Sequence, residues 1–187
     1  MSDWPVAFDG IAETVTLTRD PDGRWNVAAL GVHAGDPATA RTWGETVTRR
    51  NFERTGEGVV AFPDDPVLFV DAALTERKES SPRLDGLAAR VEVAVDERDR
   101  GTDGGTEWVD WTLVPHDSEV LRRSVPVTNR GFNAIVEMTV AASRLGVPAY
   151  DDETLRGRLA YFAEVVETCG GARERAALEK LRDVVDW

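Results

Sequence analysis

The spacing of apolar residues changes once along this chain, near Pro148, and that change constrains its fold more than any other feature. Before it the dominant period is two, the mark of strands with one buried face; after it the period is 3.6, that of amphipathic helices. Thr14 to Thr18 alternates threonine with Val15 and Leu17, and Pro21-Asp22-Gly23 supplies turn chemistry. Trp25, Val27, Ala29 and Gly31 then share one parity against Asn26, Ala28, Leu30 and Val32, which completes a β-hairpin. A third extended piece falls around Thr39 to Glu45, and a short apolar strand at Val59 to Phe62. Val91, Val93 and Val95 alternate with Glu92, Ala94 and Asp96. Across Gly101 to Gly105, Val109, Trp111 and Leu113 close a second, longer hairpin. Ala134 to Ser143 also reads as a strand, because Val136, Met138, Val140 and Ala142 share a parity and β-branched residues favour extension.

Helical signals interrupt and then replace this pattern. Thr48 to Arg54 reads as one or two turns ended by Gly56, and Asp64-Asp65-Pro66 opens a helix through Leu74 with an Asp cap and Pro near the first position. Beyond Pro148, Leu155, Leu159, Phe162, Val166 and Cys169 follow at helical spacing, capped by Asp151 or Asp152 and stopped by Gly170-Gly171. Leu178, Leu181 and Val185 carry a second helix. Two short amphipathic helices are not stable alone, so the pair has to lay its stripes on the β part or on a second subunit. The 187 residues suit one generous domain or a domain with a helical appendage. The expected class is mainly β with helices (α+β): about six antiparallel strands over residues 1–147 and a helical hairpin over 148–187.

Composition narrows the partners. Lys and Arg total 22 against 34 Asp and Glu, a net charge of −12, and Lys78 and Lys180 are the only lysines among those 22. An acidic, lysine-poor surface resembles that of proteins from salt-loving archaea, where ionic strength screens self-repulsion. It argues against nucleic acid, whose phosphates need a concentrated basic face. Apolar runs are too short and too charged to span a bilayer. The Met1-Ser2-Asp3-Trp4-Pro5 start lacks a basic region followed by an apolar run, so a cytoplasmic protein is expected. One cysteine, Cys169, makes no internal disulfide, and two histidines, His33 and His116, form no zinc pattern.

No familiar catalytic signature occurs: no Gly-x-Ser-x-Gly, P-loop or HExxH. The segment from Arg41 to Arg54 stands apart, with four arginines and two glutamates inside an acidic chain. Arg49 and Arg50 fall in the first turn of the expected helix, where cations oppose the backbone dipole. An anion would resolve the conflict, held by Thr46, Thr48 and free backbone N–H groups. The alternative is that Thr46 or Thr48 caps the helix while the arginines pair with surface acids. Asp64 and Asp65 are metal-ligand types within possible reach of His33, though helix capping explains them more simply. Glu137 is either a functional acid or a carboxylate paired with Arg130 or Arg144.

Gly44-Glu45-Thr46-Val47-Thr48-x-x-Asn51-Phe52, followed by Thr55-Gly56 and Asp64-Asp65, resembles the Gly-Ser/Thr-x-Thr-x-x-Asn-Leu block of FMN-binding split-barrel proteins. It is most similar to the largely archaeal domain-of-unknown-function family 447, distantly like flavin reductases and pyridoxamine-phosphate-oxidase-like proteins. Ala28-Ala29-Leu30-Gly31-Val32 and Arg130-Gly131-Phe132-x-Ala134-x-Val136-Glu137 match further family strands, and Ala142-Ser143-Arg144-Leu145 continues the second. Ala29 stands where the family has Pro, and Thr46 where it has Ser. The resemblance implies a split β-barrel homodimer binding FMN. In it Thr46, Val47 and Thr48 hold the phosphate, and Asn51 braces the loop or reaches the ribityl chain. Ala29, Leu30 and Gly31 offer backbone to the isoalloxazine, and Arg130 adds charge from the partner subunit. It also implies a flavin-dependent oxidoreductase of unknown substrate; the alternative is a non-catalytic carrier or sensor of FMN or another anion.

Overall fold

β1 (Ile11–Arg19) and β2 (Trp25–His33) pair antiparallel from Ile11↔His33 to Arg19↔Trp25. The turn between them is organised by Asp20, whose Oδ1 accepts the N–H groups of Asp22 and Arg24, each at 2.9 Å. This computed structural model describes residues 4–81, 85–125 and 127–187; Met1-Ser2-Asp3, part of the start read as lacking a signal, lies outside them. Among the described residues, β3 (Ala38–Trp43), β4 (Glu57–Pro63), β6 (Leu87–Asp103) and β7 (Thr106–Val120) add to the hairpin in the order β1-β4-β6-β7-β3-β2. The β1–β2 pairing closes that series into a six-stranded antiparallel barrel, and the three-residue β5 (Arg77–Glu79) extends it on β2. The expected split barrel of six strands with helices is thus the observed fold.

Alternation fills the interior. Leu30, Val32, Ala40, Val60, Val91, Val93, Val95, Val109, Trp111 and Leu113 form one buried cluster. Phe52, from α1 (Val47–Thr55), enters the same cluster and meets Trp111 edge-on at 5.4 Å between ring centroids. Gly58 on β4 has to be glycine here, since a Cβ would fall 2.8 Å from the Phe52 ring. At the other end of β4, Phe62 packs with Trp4 and Phe8.

The described residues group into two units. The barrel unit comprises Met1–Asp64 and Glu76–Arg123; the helical unit comprises Asp65–Thr75 and Ser124–Trp187. The second holds α2 (Pro66–Leu74), α3 (Arg130–Ala142), α4 (Asp152–Cys169) and α5 (Ala172–Val184). α3 overturns the strand expected at 134–143. Gly131, Ala134, Ile135, Met138, Thr139, Ala141 and Ala142 are its buried residues, a spacing of three and four that outweighs the β-branched content. Asn129 caps it by accepting the Gly131 N–H at 2.8 Å. Leu155, Leu159 and Val166 of α4 are buried in a core with α3 and Val70 of α2, so this stripe is consumed inside the chain and is not available to a second subunit. No described helix is long and apolar enough to cross a membrane.

Candidate functional site

α1 begins where the sequence places the anion site. Thr46, in an extended conformation, is the N-cap: its hydroxyl oxygen accepts the Arg49 N–H at 3.1 Å, and its carbonyl accepts that of Arg50 at 3.1 Å. Val47 and Thr48 are the first helical residues, whose N–H groups have no acceptor within the helix. No acidic residue occupies this first turn. The helix ends at Gly56 in the left-handed region, which only glycine adopts without strain.

The inner face of α1 is tied to the barrel by two buried bonds. Asn26 of β2 donates from Nδ2 to Thr48 Oγ1 at 3.2 Å, and Asn51 donates from Nδ2 to Thr18 Oγ1 of β1 at 2.9 Å. Thr48 therefore turns its hydroxyl into the barrel and presents only its backbone N–H at the helix start. Asn51 likewise braces α1 against β1. Along the same inner parity Thr14 Oγ1 donates to the Leu30 carbonyl at 2.6 Å, while Thr16 Oγ1 is buried without a partner among the described residues.

The arginines divide differently from the anion expectation. Arg49, only 4% exposed, bonds Glu53 and Glu107 at 3.1 Å, pairs with Glu45 at 3.2 Å and reaches the Gly44 carbonyl at 3.4 Å. The Glu53 bond leads in holding its pKa above the ordinary arginine value. Its conflict with the dipole is resolved by carboxylates of the chain itself. Arg41 makes a two-pronged bond to Asp110 at 2.6 and 2.9 Å, which lowers the Asp110 pKa. Arg54 reaches the Arg19 carbonyl. Arg50, exposed and bonded to the Glu45 carbonyl at 3.0 Å, remains beside the helix start.

β2 and β3 pair only through Val32↔Ala40 and His33↔Thr39, and β5 takes Trp25 to Val27. Between these ladders, Ala28 to Gly31 keep β1 on one edge and have neither β3 nor β5 on the other. Leu30 points inward and is buried; Ala29 and Gly31, on the opposite parity, are half-buried. Ala29 lies three positions beyond Asn26, which is pinned to Thr48, about 10 Å along a strand. The Thr46–Thr48 turn and the open edge of Ala29–Gly31 thus belong to one end of the barrel unit, held by Asn26.

The remaining candidates lie elsewhere. Arg130 opens α3 in the helical unit, exposed, with Nη1 3.7 Å from Cys169 Sγ. Glu137 is exposed on α3, off its buried stripe, and interrupts no strand. Asp65 caps α2, accepting the Val67 N–H at 2.9 Å, and Asp64 pairs with Arg122. Among the described residues no three His, Cys, Asp or Glu side chains come together as a metal site. Sequence reasoning missed Asn26 and Thr18 as the anchors of α1; a lone Asn inside an apolar strand was the available signal.

A closed antiparallel barrel, capped by one helix and joined to a four-helix unit, is the fold of the split-barrel class. The chain belongs to the family described as "Protein of unknown function (DUF447)": the model of its N-terminal domain matches residues 12–122 and a second model of the family matches 129–183. An FMN-bound protein of that family from Methanosarcina mazei shares the fold with a TM-score of 0.79 and 23% identity, covering 95% of this chain and 96% of the other. A flavoredoxin from Methanosarcina acetivorans gives a TM-score of 0.45 at 11% identity, covering 67% of this chain and 79% of its own. An FMN-binding protein from Thermus thermophilus gives 0.43 at 12%, covering 65% and 79%. No curated protein matches the sequence.

Proposed function

We propose that this chain is an FMN-binding protein whose phosphate site is the start of α1 and whose ring site is the open edge of β2. The observation that carries this reading is a helix N-terminus with free first-turn N–H groups, pinned through Thr48–Asn26 to the strand whose Ala28–Gly31 edge has no strand partner among the described residues. The FMN-bound relative of the same family supports it. The donor set fits a phosphate: the Val47 and Thr48 N–H groups, the Thr46 hydroxyl proton and the Arg50 guanidinium are the cationic or donating groups at the turn. Asn51 is a brace in this reading rather than a ligand. Leu30 contributes backbone alone, because its side chain is in the core.

FMN, when bound, supplies hydride and one-electron chemistry. The chain's part is to hold the phosphate, expose backbone donors and acceptors to the ring edge, and keep that edge rigid through β1. We propose further that it works as a homodimer in the cytoplasm of a salt-adapted cell, with Arg130 of one copy adding charge near the flavin of the other, and that it is a flavin-dependent oxidoreductase. Titration of the purified protein with FMN in high salt tests the core of this. Saturable binding with bleaching by NADH or NADPH supports the oxidoreductase; binding without bleaching by either donor supports a carrier. Failure to take up FMN refutes both. Sedimentation at micromolar concentration in high salt decides the dimer.

A further inference from the structure

Trp43 is 46% exposed, an unusual state for tryptophan, and stands at the end of β3 immediately before the Gly44-Glu45-Thr46 turn. The parity that carries Ala40 and Thr42 inward places Arg41 and Trp43 on the outer face. Extending the short β2–β3 register would set Gly31 opposite Arg41 and Ala29 opposite Trp43, but the ladder stops at Val32↔Ala40. Trp43 therefore stands across the open edge from two of the smallest side chains in β2. Thr46 lies three positions further along the chain, a span of about 10 Å at most, a distance that a ribityl chain bridges.

We propose that the Trp43 indole is the stacking wall for the isoalloxazine ring, facing the backbone of Ala29–Gly31. This rests on the FMN reading above and assigns the ring contact within it. The neighbours of Trp43 are fixed. The Arg41 guanidinium lies 5.4 Å from the Trp43 ring centroid and 4.0 Å from that of Trp108, and its two bonds to Asp110 hold it there. Trp108 in turn lies against Gly101, where a Cβ would come within 2.6 Å of its ring. The layer Gly101–Trp108–Arg41 thus supports one side of Trp43 and leaves an indole surface open to a planar ligand. Across the opening, Ala29 and Gly31 contribute little side-chain volume of their own, and Ile11, whose Cγ2 lies 3.3 Å from where a Gly31 Cβ would stand, borders the path of the ring.

The test uses the full-length protein in high salt, with FMN as the probe, equilibrium dialysis for affinity and flavin emission for stacking, since an indole in face contact quenches flavin fluorescence. Wild type is expected to bind FMN with strongly reduced emission. Trp43→Leu should weaken binding roughly 5- to 150-fold, the range for losing one aromatic stack. Trp43→Phe should retain most of the affinity while the emission of bound flavin rises several-fold. Trp4→Phe, packed with Phe8 and Phe62 at the end of β4 away from Phe52, is the control and should leave emission unchanged. Melting curves of each variant without FMN verify that the fold is retained, which an exposed position permits. Wild-type binding with affinity and quenching unaltered in both Trp43 variants overturns the stacking assignment while leaving the FMN reading intact. No uptake of FMN by the wild type overturns the FMN reading and the assignment with it.

Discussion

Thr48→Val, combined with a change at its partner Asn26, separates a helix cap from an internal anchor. Valine matches threonine in volume, so no cavity opens, and what is lost is the acceptor for the Asn26 amide, 3.2 Å away and 7% exposed. A buried amide left without a partner costs about 1–3 kcal/mol. For a chain of 187 residues each kcal/mol shifts the melting temperature by about 2–4 °C. The expected fall is therefore about 2–12 °C in apo protein at fixed salt. A cap mutation would cost a similar amount, so the single variant does not decide the mechanism. The cycle does: Asn26→Leu removes the orphaned amide, and Asn26→Leu/Thr48→Val should be less destabilised than the sum of the singles by about 1 kcal/mol or more. Additive effects would refute the anchor. FMN affinity adds a second reading, since a hydroxyl buried against Asn26 is turned away from the helix start. Thr48→Val should change affinity less than Thr46→Ala does, and the reverse order would place the Thr48 hydroxyl on the ligand.

Raising salt from 0.1 to 1 M shortens the screening length from about 10 Å to about 3 Å, so a chain of net charge −12 should melt at a higher temperature; a flat or falling midpoint would contradict adaptation to salt. Asp110, through its bonds to Arg41, and Asp151, through its bonds to Thr154, have pKa values below the ordinary 3.8. Each stabilises the fold fully above that value and loses its contribution as pH falls through the lower folded value, so melting temperature should hold from neutral pH to about 4 and drop below it, less steeply in Asp110→Asn/Asp151→Asn. Gly131→Ala should destabilise the helical unit by about 1–3 kcal/mol, because the added Cβ would fall 2.6 Å from Gly170 Cα; circular dichroism melts read this, and an unchanged midpoint would show that the α3–α4 contact is looser than described.

The barrel and α2 were legible because alternation, turns and caps agreed. Pro21-Asp22-Gly23, the Val91–Val95 parity and Asp65-Pro66 each act within a few residues, and each appears as read. Residues 134–143 failed for a physical reason. Val136, Met138 and Val140 satisfy a period of two, yet Ala134, Ile135, Met138, Thr139, Ala141 and Ala142 also satisfy a helical stripe, and packing against α4 selected the second. The α1 turn was legible as a motif, while its internal bonding was not. Which of Thr46 and Thr48 caps the helix depends on Asn26, and which arginine stays exposed beside the turn depends on Glu107, 58 residues from Arg49. β5 was missed because a three-residue strand carries no period.

The membership of α2 in the helical unit has a consequence for synthesis and for dissection. This helix leaves the ribosome between β4 and β5, but its packing partners α3 and α5 follow only after β7, and Lys180 near the C-terminus closes a 2.9 Å ion pair with Asp71. More than half the chain must therefore be made before α2 can bury its apolar residues, and the ends it joins must close a loop of about 100 residues against an entropy that rises with its logarithm. A fragment cut at the boundary between the two family models, near residue 125, separates α2 from that core. It leaves Val70, now fully buried, facing water in one piece and its pocket open in the other. The sequence boundary between the family's two halves is thus not a line along which the molecule can be divided, and an excised C-terminal half would be expected to associate or aggregate until α2 is supplied in trans.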